Sequence, residues 1–309
     1  MDDTILDISH ASKRFGRFQA LDDVSLSINK GEVYGLIGEN GAGKTTLMRL
    51  ITGLSPIQEG TIRLMGHTIG KDSRILSRIG SIIEAPAAFK KLTVSQNMKL
   101  TAIQHGLADD KAIDQTIDFV GLREKAKTRA GHLSLGQRQR LGLAMAILTR
   151  PDFLILDEPI NGLDPAGIME FRTLLDRLNK ERQTTILISS HILSELYLVS
   201  SRFGFISHGR LIKEVNKDEL DRINQNVLLI DVDQSSRAAM LLDRQGIGPF
   251  QVLDDHQILI RQENLEPGPI NRLLVQEGIL VNQISQQKGS LEEYFTDLLN
   301  KDSQESRKQ

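Results

Sequence analysis

The chain alternates short apolar runs with longer stretches of helical periodicity. Residues 4–15 and 22–30 predict strands, and apolar and polar side chains alternate from Val24 to Ile28, which is typical of a strand with one buried face. Residues 153–156 are instead continuously apolar, as expected of a strand that is covered on both faces, and residues 184–188 predict a second buried strand. Residues 136–149 repeat apolar side chains every three or four positions and therefore indicate a helix. Buried strands that alternate with helices predict an α/β core with a parallel sheet.

The same pattern divides the chain into segments of different character. Residues 1–215 are expected to form the α/β domain, and the stretch from about 84–150 within it turns helical and predicts a helical subdomain. Residues 216–300 follow the order β-α-β-β-α-β and predict a small α+β domain of the ferredoxin-like kind. Residues 301–309 are strongly polar and end the sequence, so we expect a disordered tail there.

A glycine-rich loop follows the short apolar strand at residues 32–37 and opens a predicted helix. Its sequence from Gly38 to Thr46 is G-E-N-G-A-G-K-T-T, which matches the G-x-x-x-x-G-K-[ST] pattern of a phosphate-binding loop. The glycines let backbone N–H groups surround a polyphosphate, Lys44 adds a positive charge, and Thr45 offers a hydroxyl to Mg²⁺. The residues expected to bind the nucleotide here are Gly38, Asn40, Gly41, Ala42, Gly43, Lys44, Thr45 and Thr46.

Two carboxylates, Asp157 and Glu158, follow the apolar run at residues 153–156. Because α/β sheets bind ligands at the carboxyl ends of their strands, we expect both carboxylates to lie beside the phosphate loop. Asp157 would hold Mg²⁺ directly or through water, and Glu158 would accept a proton from an attacking water. An apolar strand that ends in Asp-Glu commonly enters a solvated turn. Its combination with a phosphate loop predicts hydrolysis of a nucleoside triphosphate.

Composition and charge limit the chemistry, the binding partners and the cellular location that we expect for the protein. The absence of cysteine excludes disulfides and thiol chemistry. The formal net charge is −2, and residues 216–309 carry 10 Lys and Arg against 16 Asp and Glu, so no basic surface for nucleic acid is expected. No apolar run approaches the roughly 20 residues that span a bilayer, and the acidic N-terminus lacks the features of a signal peptide. We therefore expect a cytoplasmic protein, for which another chain supplies any membrane span.

Five short motifs follow one another between residues 38 and 191. They are the phosphate loop, L-S-L-G-Q at 133–137, F-L-I-L-D-E at 153–158, N-G-L-D at 161–164 and S-H at 190–191. In this order they resemble the ABC-type ATPases, over about residues 4–214. The resemblance implies that two ATP molecules lie between two copies of the domain, and it gives Asp157 and Glu158 the metal-binding and general-base roles inferred above. Each L-S-L-G-Q segment would close over the nucleotide held by the phosphate loop of the other copy.

The resemblance implies roles for five further residues. Ser134 and Gly136 would contact the γ-phosphate bound to the second copy, with a plain helix N-cap as the alternative for Ser134. Asp164 would lie in the loop that joins the two nucleotide sites. His191 would contact the γ-phosphate, although a lone histidine after a strand is more often structural. Phe15 matches the aromatic residue that stacks on adenine, with a core residue at a strand end as the alternative.

The chain departs from the family pattern at two positions. Leu135 replaces the first glycine of the usual L-S-G-G-Q motif, but Gly136 remains at the predicted helix start. Glu84, in the stretch I-G-S-I-I-E-A-P, occupies the place of a glutamine that contacts the metal and the attacking water and senses the membrane partner. Glu84 is therefore a candidate metal and catalytic residue. A solvated charge at a strand end is the alternative.

The detailed motifs are similar to those of one subgroup, the ATPase subunits of bacterial exporters for bacitracin and for lantibiotic self-protection. These motifs include I-E-A-P, L-S-L-G-Q and a C-terminal extension ending S-L-E-E-Y-F at residues 290–295. We therefore expect the ATP-hydrolysing subunit of an exporter that serves resistance or immunity to antimicrobial peptides. It would use ATP and Mg²⁺, pair with a second copy of itself, and bind membrane permease subunits at the inner face of the cell membrane.

Two other functions are compatible with a phosphate loop. A soluble ABC ATPase could act on ribosomes or DNA, but ribosome-acting members carry two ATPase domains and DNA-repair members insert a long coiled coil before the Asp-Glu pair. This chain has one phosphate loop and no room for such a coiled coil. An inactive nucleotide-binding regulator is the third hypothesis, and the intact residues Lys44, Asp157, Glu158 and His191 argue against it.

Overall fold

The computed structural model describes residues 3–70, 73–224, 226–260, 265–288 and 290–306. The chain divides into two compact units. The first contains Met1–Lys217 together with Leu298–Gln309, and the second contains Asp218–Asp297. No helix within the described ranges combines the length and the apolar character that crossing a bilayer requires.

The first unit alternates strands and helices along most of its length. Its strands are β1 (Thr4–Phe15), β2 (Phe18–Asn29), β3 (Val33–Ile37), β4 (Glu59–Leu64), β5 (His67–Thr68), β6 (Ile79–Ile82), β7 (Phe153–Leu156), β8 (Thr185–Ser190), β9 (Arg202–Ser207) and β10 (Arg210–Asn216). Its helices are α1 (Lys44–Ile51), α2 (Val94–Gln104), α3 (Asp110–Phe119), α4 (Leu135–Ile147), α5 (Pro165–Arg182) and α6 (Leu193–Tyr197). Helix α7 (Lys217–Ile223) begins at the last residue of this stretch, and the rest of it belongs to the second unit.

A six-stranded sheet with the order β10-β9-β3-β8-β7-β6 forms the centre of this unit. Neighbouring strands from β9 to β6 are parallel, and only β10 runs antiparallel to β9. Every residue of β3, β7 and β8 is buried, which confirms the buried strands predicted at residues 153–156 and 184–188. Because these strands are parallel neighbours, the residues that follow Ile37, Leu156 and Ser190 emerge at the same edge of the sheet.

A second sheet, with the antiparallel order β2-β1-β4-β5, shares a hydrophobic core with the central sheet. The core includes the buried face of α1, through Leu47, Met48 and Ile51. It also includes Tyr34 and Leu36 of β3. The helix that follows the phosphate loop is therefore held between the two sheets, so its first residues have a fixed place at the sheet edge.

Helices α2, α3 and α4 occupy the stretch between β6 and β7, and each begins at a side-chain cap. Thr93 caps α2, Asp109 caps α3, and Ser134 caps α4 through a reciprocal pair of bonds with Gln137. A capping side chain accepts a hydrogen bond from a backbone N–H that the helix itself cannot satisfy. Threonine, aspartate and serine are among the residue types that favour this capping position, so each helix begins where its local sequence allows.

The second unit has its own sheet and its own core. Its elements are β11 (Asn226–Val232), α8 (Ser235–Arg244), β12 (Phe250–Val252), β13 (Gln257–Ile260), α9 (Pro267–Gln276), β14 (Val281–Lys288) and the start of α10 (Leu291–Ser306). The sheet order is β12-β13-β11-β14, and all three pairings are antiparallel. This is the β-α-β-β-α-β order expected from the sequence, with apolar side chains of β11, α8, β13 and α9 in one cluster.

The C-terminal segment differs from the prediction of a disordered tail. Helix α10 continues through residues 301–306, and residues 307–309 lie outside the described part of the chain. Within the first unit, Ser207 Oγ donates a hydrogen bond to Asp302 Oδ2 over 2.8 Å. Polar composition alone suggested disorder, but a polar segment remains helical where a tertiary contact holds it, and the sequence does not show that contact.

Candidate functional site

The phosphate loop joins β3 to α1 in a conformation that requires glycine at two places. Gly43 has a φ of 111°, in the left-handed region, and a Cβ there would lie 2.7 Å from the carbonyl oxygen of Ala20. A Cβ on Gly38 would lie 2.5 Å from the carbonyl oxygen of Ile206. Both contacts are too short for any side chain, so the loop can pack against β2 and β9 only because these positions are glycines.

Lys44, the first residue of α1, is buried with 5% of its surface exposed. Its Nζ donates hydrogen bonds to the carbonyl oxygens of Gly38 at 2.6 Å and Glu39 at 3.0 Å. Glu158 Oε1 lies 3.1 Å from the same Nζ. A buried ammonium group held at the inner curve of the loop supplies a positive charge where a phosphate chain would lie.

Thr45 and Asp157 meet at the carboxyl edge of the sheet. Thr45 Oγ1 donates to Asp157 Oδ2 over 2.7 Å, and Ser189 Oγ donates to Asp157 Oδ1 over 2.7 Å. Asp157 is 3% exposed, so both of its carboxylate oxygens are held in place by protein groups. Hydroxyl and carboxylate oxygens are the donors that Mg²⁺ prefers, and the ion is usually held by one or two protein groups together with phosphates and water. The residues present therefore suit Mg²⁺ in company with a polyphosphate.

Glu158 has an unusual backbone and two side-chain partners. Its φ is 47°, in the left-handed region, and its N–H donates to Ser189 Oγ over 3.0 Å. Lys44 Nζ lies near Oε1 of this carboxylate, and His191 Nδ1 lies 2.7 Å from its Oε2. The carboxylate is mostly buried, and the neighbouring lysine and histidine fix its direction. A carboxylate fixed in this way can accept a proton from a water molecule within hydrogen-bond distance.

These groups share one open cleft of about 450 Å³. The cleft is lined by Phe18, Ala20, Asn40, Gly41, Gly43, Lys44, Thr45, Thr46, Glu84, Asp157, Glu158 and Asn161. A volume of this order is typical of small-ligand sites. The structure therefore brings the loop, both acidic residues of the 157–158 pair, and Glu84 to one place.

Glu84 is partnered rather than freely solvated. Its carboxylate forms an ion pair with Arg49 of α1, and its φ of 66° is again in the left-handed region. The side chain is 62% exposed and lines the cleft. The carboxylate is therefore both paired and exposed at the rim of the cleft, so its role at the metal and the alternative of a solvated charge at a strand end both stay predictions.

The aromatic residue that lines the cleft is Phe18, whereas Phe15 was the one expected from sequence to stack on adenine. Phe18 lines the cleft, whereas Phe15 falls outside the set of described residues that line it. The Lys13 ammonium group lies 5.4 Å from the centre of the Phe15 ring. Phe15 and Phe18 are paired across the tip of the β1–β2 hairpin, so the sequence indicated an aromatic residue near this turn but not which of the two lines the cleft.

Ser134, Gly136 and Asp164 fall outside the described residues that line the cleft of their own chain. Ser134 caps α4, and Asp164 caps α5 by accepting a hydrogen bond from the N–H of Gly167 at 3.0 Å. A Cβ on Gly162 would lie 3.3 Å from Leu135 Cδ2, so the side chain of Leu135 covers the loop before α5. The L-S-L-G-Q segment and the N-G-L-D loop are therefore neighbours within one chain.

Comparisons with known proteins agree with this arrangement. The family model described as "ABC transporter" matches residues 21–161. The chain is 39% identical to the bacitracin transport ATP-binding protein BcrA of Bacillus licheniformis, over 96% of this chain and 97% of that protein. It is 40% identical to the lantibiotic transport ATP-binding protein SrtF of Streptococcus pyogenes, over 74% of this chain and 99% of that protein.

The fold is also that of solved ATP-binding cassettes. A dimeric cassette in a post-hydrolysis state, bound to ADP and Pi, superposes with a TM-score of 0.63 at 24% identity. The match covers 69% of this chain and 98% of that one. Since a relative at 39% identity is matched over nearly its full length, the chain belongs to the ABC transporter ATP-binding proteins, which bind ATP and are ATPases.

Proposed function

We propose that this protein is the ATP-hydrolysing subunit of a bacterial exporter and that Glu158 is its general base. The observation that carries the proposal is the position of the Glu158 carboxylate, 3.1 Å from Lys44 Nζ and 2.7 Å from His191 Nδ1. Lys44 belongs to the phosphate loop, so the carboxylate lies next to the place where the end of a phosphate chain would be. Phosphoryl transfer to water needs a positioned base and a neutralised phosphate more than it needs covalent chemistry.

Thr45 and Asp157 are the residues that would hold Mg²⁺. When bound, the ion neutralises charge on the β- and γ-phosphates. Thr45 Oγ1 and Asp157 Oδ2 are already 2.7 Å apart, so their oxygens converge on one location without rearrangement of either backbone. Asp157 is buried and cannot move far, which favours a constant geometry for a metal beside the loop.

His191 is proposed to orient Glu158 and to contact the γ-phosphate. Its Nδ1 faces Glu158 Oε2, which leaves Nε2 of the same ring for another partner. The two ring nitrogens of histidine are distinct, and the hydrogen bond made by one of them determines whether the other carries a proton. His191 therefore connects the proposed base to the terminal phosphate.

A second copy of the chain is proposed to complete the nucleotide site. The support is that Ser134 and Gly136 fall outside the residues lining the cleft of their own chain, although α4 begins there with a capped N-terminus. The N-terminus of a helix favours an anion through its exposed N–H groups and its dipole. In a head-to-tail pair, this terminus would face the γ-phosphate held by the other chain, and Asp164 would lie between the two sites.

This chain is proposed to bind a separate membrane permease at the inner face of the cell membrane. The cargo is proposed to be a peptide antibiotic of the bacitracin or lantibiotic type. The support is the transport named for the two relatives described above, BcrA over nearly the whole of this chain and SrtF over three quarters of it. Glu84 lies at the start of the 84–150 stretch and is proposed to influence the metal or the coupling to the permease.

The test of the catalytic proposal is Glu158→Gln. We expect hydrolysis to fall by about 10²- to 10⁴-fold, the usual contribution of a general base. ATP binding should persist, and a dimer that depends on ATP should accumulate on size-exclusion chromatography. Glu181→Gln, a change in an exposed ion pair at the end of α5, serves as the matched control. Hydrolysis by Glu158→Gln near the parental rate would show that Glu158 is not the base.

The transport proposal is tested in a sensitive bacterium that expresses the chain together with the membrane protein that co-purifies with it. We expect higher resistance to bacitracin or to a lantibiotic, and loss of that resistance with Glu158→Gln. Unchanged sensitivity to both classes, with an active ATPase present, would refute the choice of cargo but not the catalytic assignment. Co-purification with ribosomes instead of a membrane protein would contradict the exporter.

A further inference from the structure

Ser189 lies between the two acidic residues of the cleft and binds both of them. We propose that Ser189 is a positioning residue that fixes Asp157 and Glu158 relative to each other, and through them the metal and the attacking water. This inference rests on the proposed function of that pair. Ser189 belongs to β8 and directly precedes the S-H motif, and the sequence alone assigned it no contact with the acidic pair.

The sheet places Ser189 at the centre of the site. In the parallel register, Ser189 is opposite Leu36 of β3, the strand that leads into the phosphate loop. On its other side, Ile188 is opposite Leu156 of β7, so Ser189 is level with Asp157. The side chain has 0% of its surface exposed. Water therefore cannot substitute for its hydrogen bonds at low cost.

The hydroxyl of Ser189 acts both as a hydrogen-bond donor and as a hydrogen-bond acceptor. A serine hydroxyl has one proton to donate and lone pairs with which to accept. Here the proton goes to Asp157 Oδ1 over 2.7 Å, and a lone pair accepts the N–H of Glu158 over 3.0 Å. The bond to Asp157 turns the carboxylate so that Oδ2 faces Thr45, which is the side proposed for the metal.

The bond to the Glu158 N–H restrains an unfavourable backbone. Glu158 has a φ of 47°, a region that residues with a Cβ enter only when the surroundings hold them there. This conformation turns the chain sharply after β7 and directs the Glu158 side chain toward Lys44 and His191. Without an acceptor at Ser189, the N–H would be left unsatisfied in a buried place, and the backbone would relax to a commoner conformation.

The decisive variant is Ser189→Ala, compared with Ser12→Ala as the matched control. Ser12 is also buried and also accepts a backbone N–H, that of Asp23 at 3.0 Å, but it lies in β1. Groups that orient metal ligands typically cost about 10- to 100-fold in metal affinity or activity when they are removed. For Ser189→Ala we expect a fall of this size in kcat and a rise of about tenfold in the Mg²⁺ concentration that gives half-maximal activity.

Two readouts separate positioning from general destabilisation. Binding of ATP in the presence of EDTA should change less than about twofold in Ser189→Ala, because Lys44 and the loop N–H groups stay in place. Ser189→Thr, which keeps the hydroxyl, should restore the Mg²⁺ response toward the parental value. Thermal melting of every variant checks that each is folded.

The inference is overturned if Ser189→Ala keeps the parental kcat and Mg²⁺ dependence, or if Ser12→Ala shows the same losses. The failure of the underlying function would look different. If Glu158→Gln still hydrolyses ATP, the general base is misassigned. If Glu158→Gln is inactive while Ser189→Ala behaves like the parent, only the role of Ser189 is wrong.

Discussion

Lys44 Nζ lies 3.1 Å from Glu158 Oε1, so the lysine of the phosphate loop and the proposed general base are paired with each other. Both side chains are largely buried, at 5% and 19% exposure. Opposite charges at this separation attract strongly when water is excluded. A triphosphate that takes Lys44 as a partner must therefore compete with Glu158, and its binding would release the carboxylate toward the attacking water.

This competition predicts opposite effects of two substitutions on ATP affinity. Lys44→Ala should weaken ATP binding by roughly tenfold or more, since a hydrogen bond to a charged group contributes about 1.5–3 kcal/mol. Glu158→Gln should instead strengthen binding, because the neutral amide holds Lys44 less tightly and repels the phosphate less. Titration calorimetry with ATP in EDTA would measure both without interference from hydrolysis.

Lys111→Ala, an exposed lysine at the start of α3, is the control for loss of one positive charge. Its affinity for ATP should equal that of the parent. Undiminished affinity in Lys44→Ala would contradict the assignment of the loop. Weaker binding in Glu158→Gln would show that the observed ion pair does not compete with the nucleotide.

Much of the site could be predicted from sequence because its motifs are local. The loop around Lys44 and the pair Asp157 and Glu158 each follow an apolar strand, and parallel strands bring their carboxyl ends together. One rule of sheet geometry therefore predicted that Thr45 and Asp157 would meet, and they are hydrogen-bonded. Helix starts were predictable for the same reason, since a cap is a local signal.

The remaining features depend on tertiary contacts that no local pattern reveals. Ser189 is one small polar residue in a buried strand, and its importance appears only when β7 and β8 are side by side. The pairing of Arg49 with Glu84 joins a helix to a strand end. The choice between Phe15 and Phe18 depends on how one hairpin sits against the loop.

The position of Phe18 predicts that it, rather than Phe15, supports the adenine ring. Stacking of a base on an aromatic side chain contributes about 1–3 kcal/mol. Because the ring of Phe18 is 62% exposed, we expect the lower end of this range, or roughly a fivefold loss of ATP affinity in Phe18→Ala. Phe15→Ala, also an exposed aromatic, is the matched control and should bind ATP as the parent does.

Inorganic tripolyphosphate provides an internal check on the Phe18 prediction. It has phosphates but no base, so its affinity should be the same in Phe18→Ala and in the parent. Equal losses for ATP and tripolyphosphate would show that the substitution disturbs the loop. A larger loss of ATP affinity in Phe15→Ala than in Phe18→Ala would reverse the assignment.

The ion pair between Glu84 and Arg49 predicts a functional effect without a large effect on stability. Exposed ion pairs contribute about 0–1 kcal/mol, so Glu84→Gln should lower the free energy of unfolding by no more than that. The amide binds a metal less strongly than the carboxylate does, and it leaves Arg49 unpaired at the rim of the cleft. We expect an altered Mg²⁺ dependence of hydrolysis or an altered response to the permease.

Arg49→Gln is the matched control for Glu84→Gln, because it breaks the same ion pair and leaves the Glu84 carboxylate in place. If the pair acts as a unit, the double variant should be less impaired than the sum of the two single variants. Parental Mg²⁺ dependence together with parental stimulation by the permease would make Glu84 a bystander.

The phenol of Tyr34 predicts a loss of stability at alkaline pH. Tyr34 is buried in β3, and its hydroxyl donates to Glu214 Oε1 over 2.8 Å. Burial, and secondly the charge of Glu214, raise the pKa of Tyr34 well above its usual value of 10.0. The folded protein therefore keeps this proton at a pH where the unfolded chain releases it.

The sign of the effect follows from proton linkage. Below about pH 9 the phenol is protonated in both states, so it makes stability neither rise nor fall with pH. Above about pH 10 the unfolded chain loses the proton first, and the free energy of unfolding falls by up to about 1.4 kcal/mol per pH unit from this group. Tyr34→Phe removes that contribution, so its stability should decline less steeply than that of the parent between about pH 9 and 11.

The same substitution has a separate cost at neutral pH. Tyr34→Phe loses one buried hydrogen bond, worth about 1 kcal/mol, while Glu214 still accepts from Arg202 Nη2 at 3.0 Å. Urea unfolding at pH 8 and at several values up to 11 would measure both effects. The variant should start less stable and approach the parent as the pH rises. Parallel curves over this range would show that Tyr34 does not keep its proton in the folded protein.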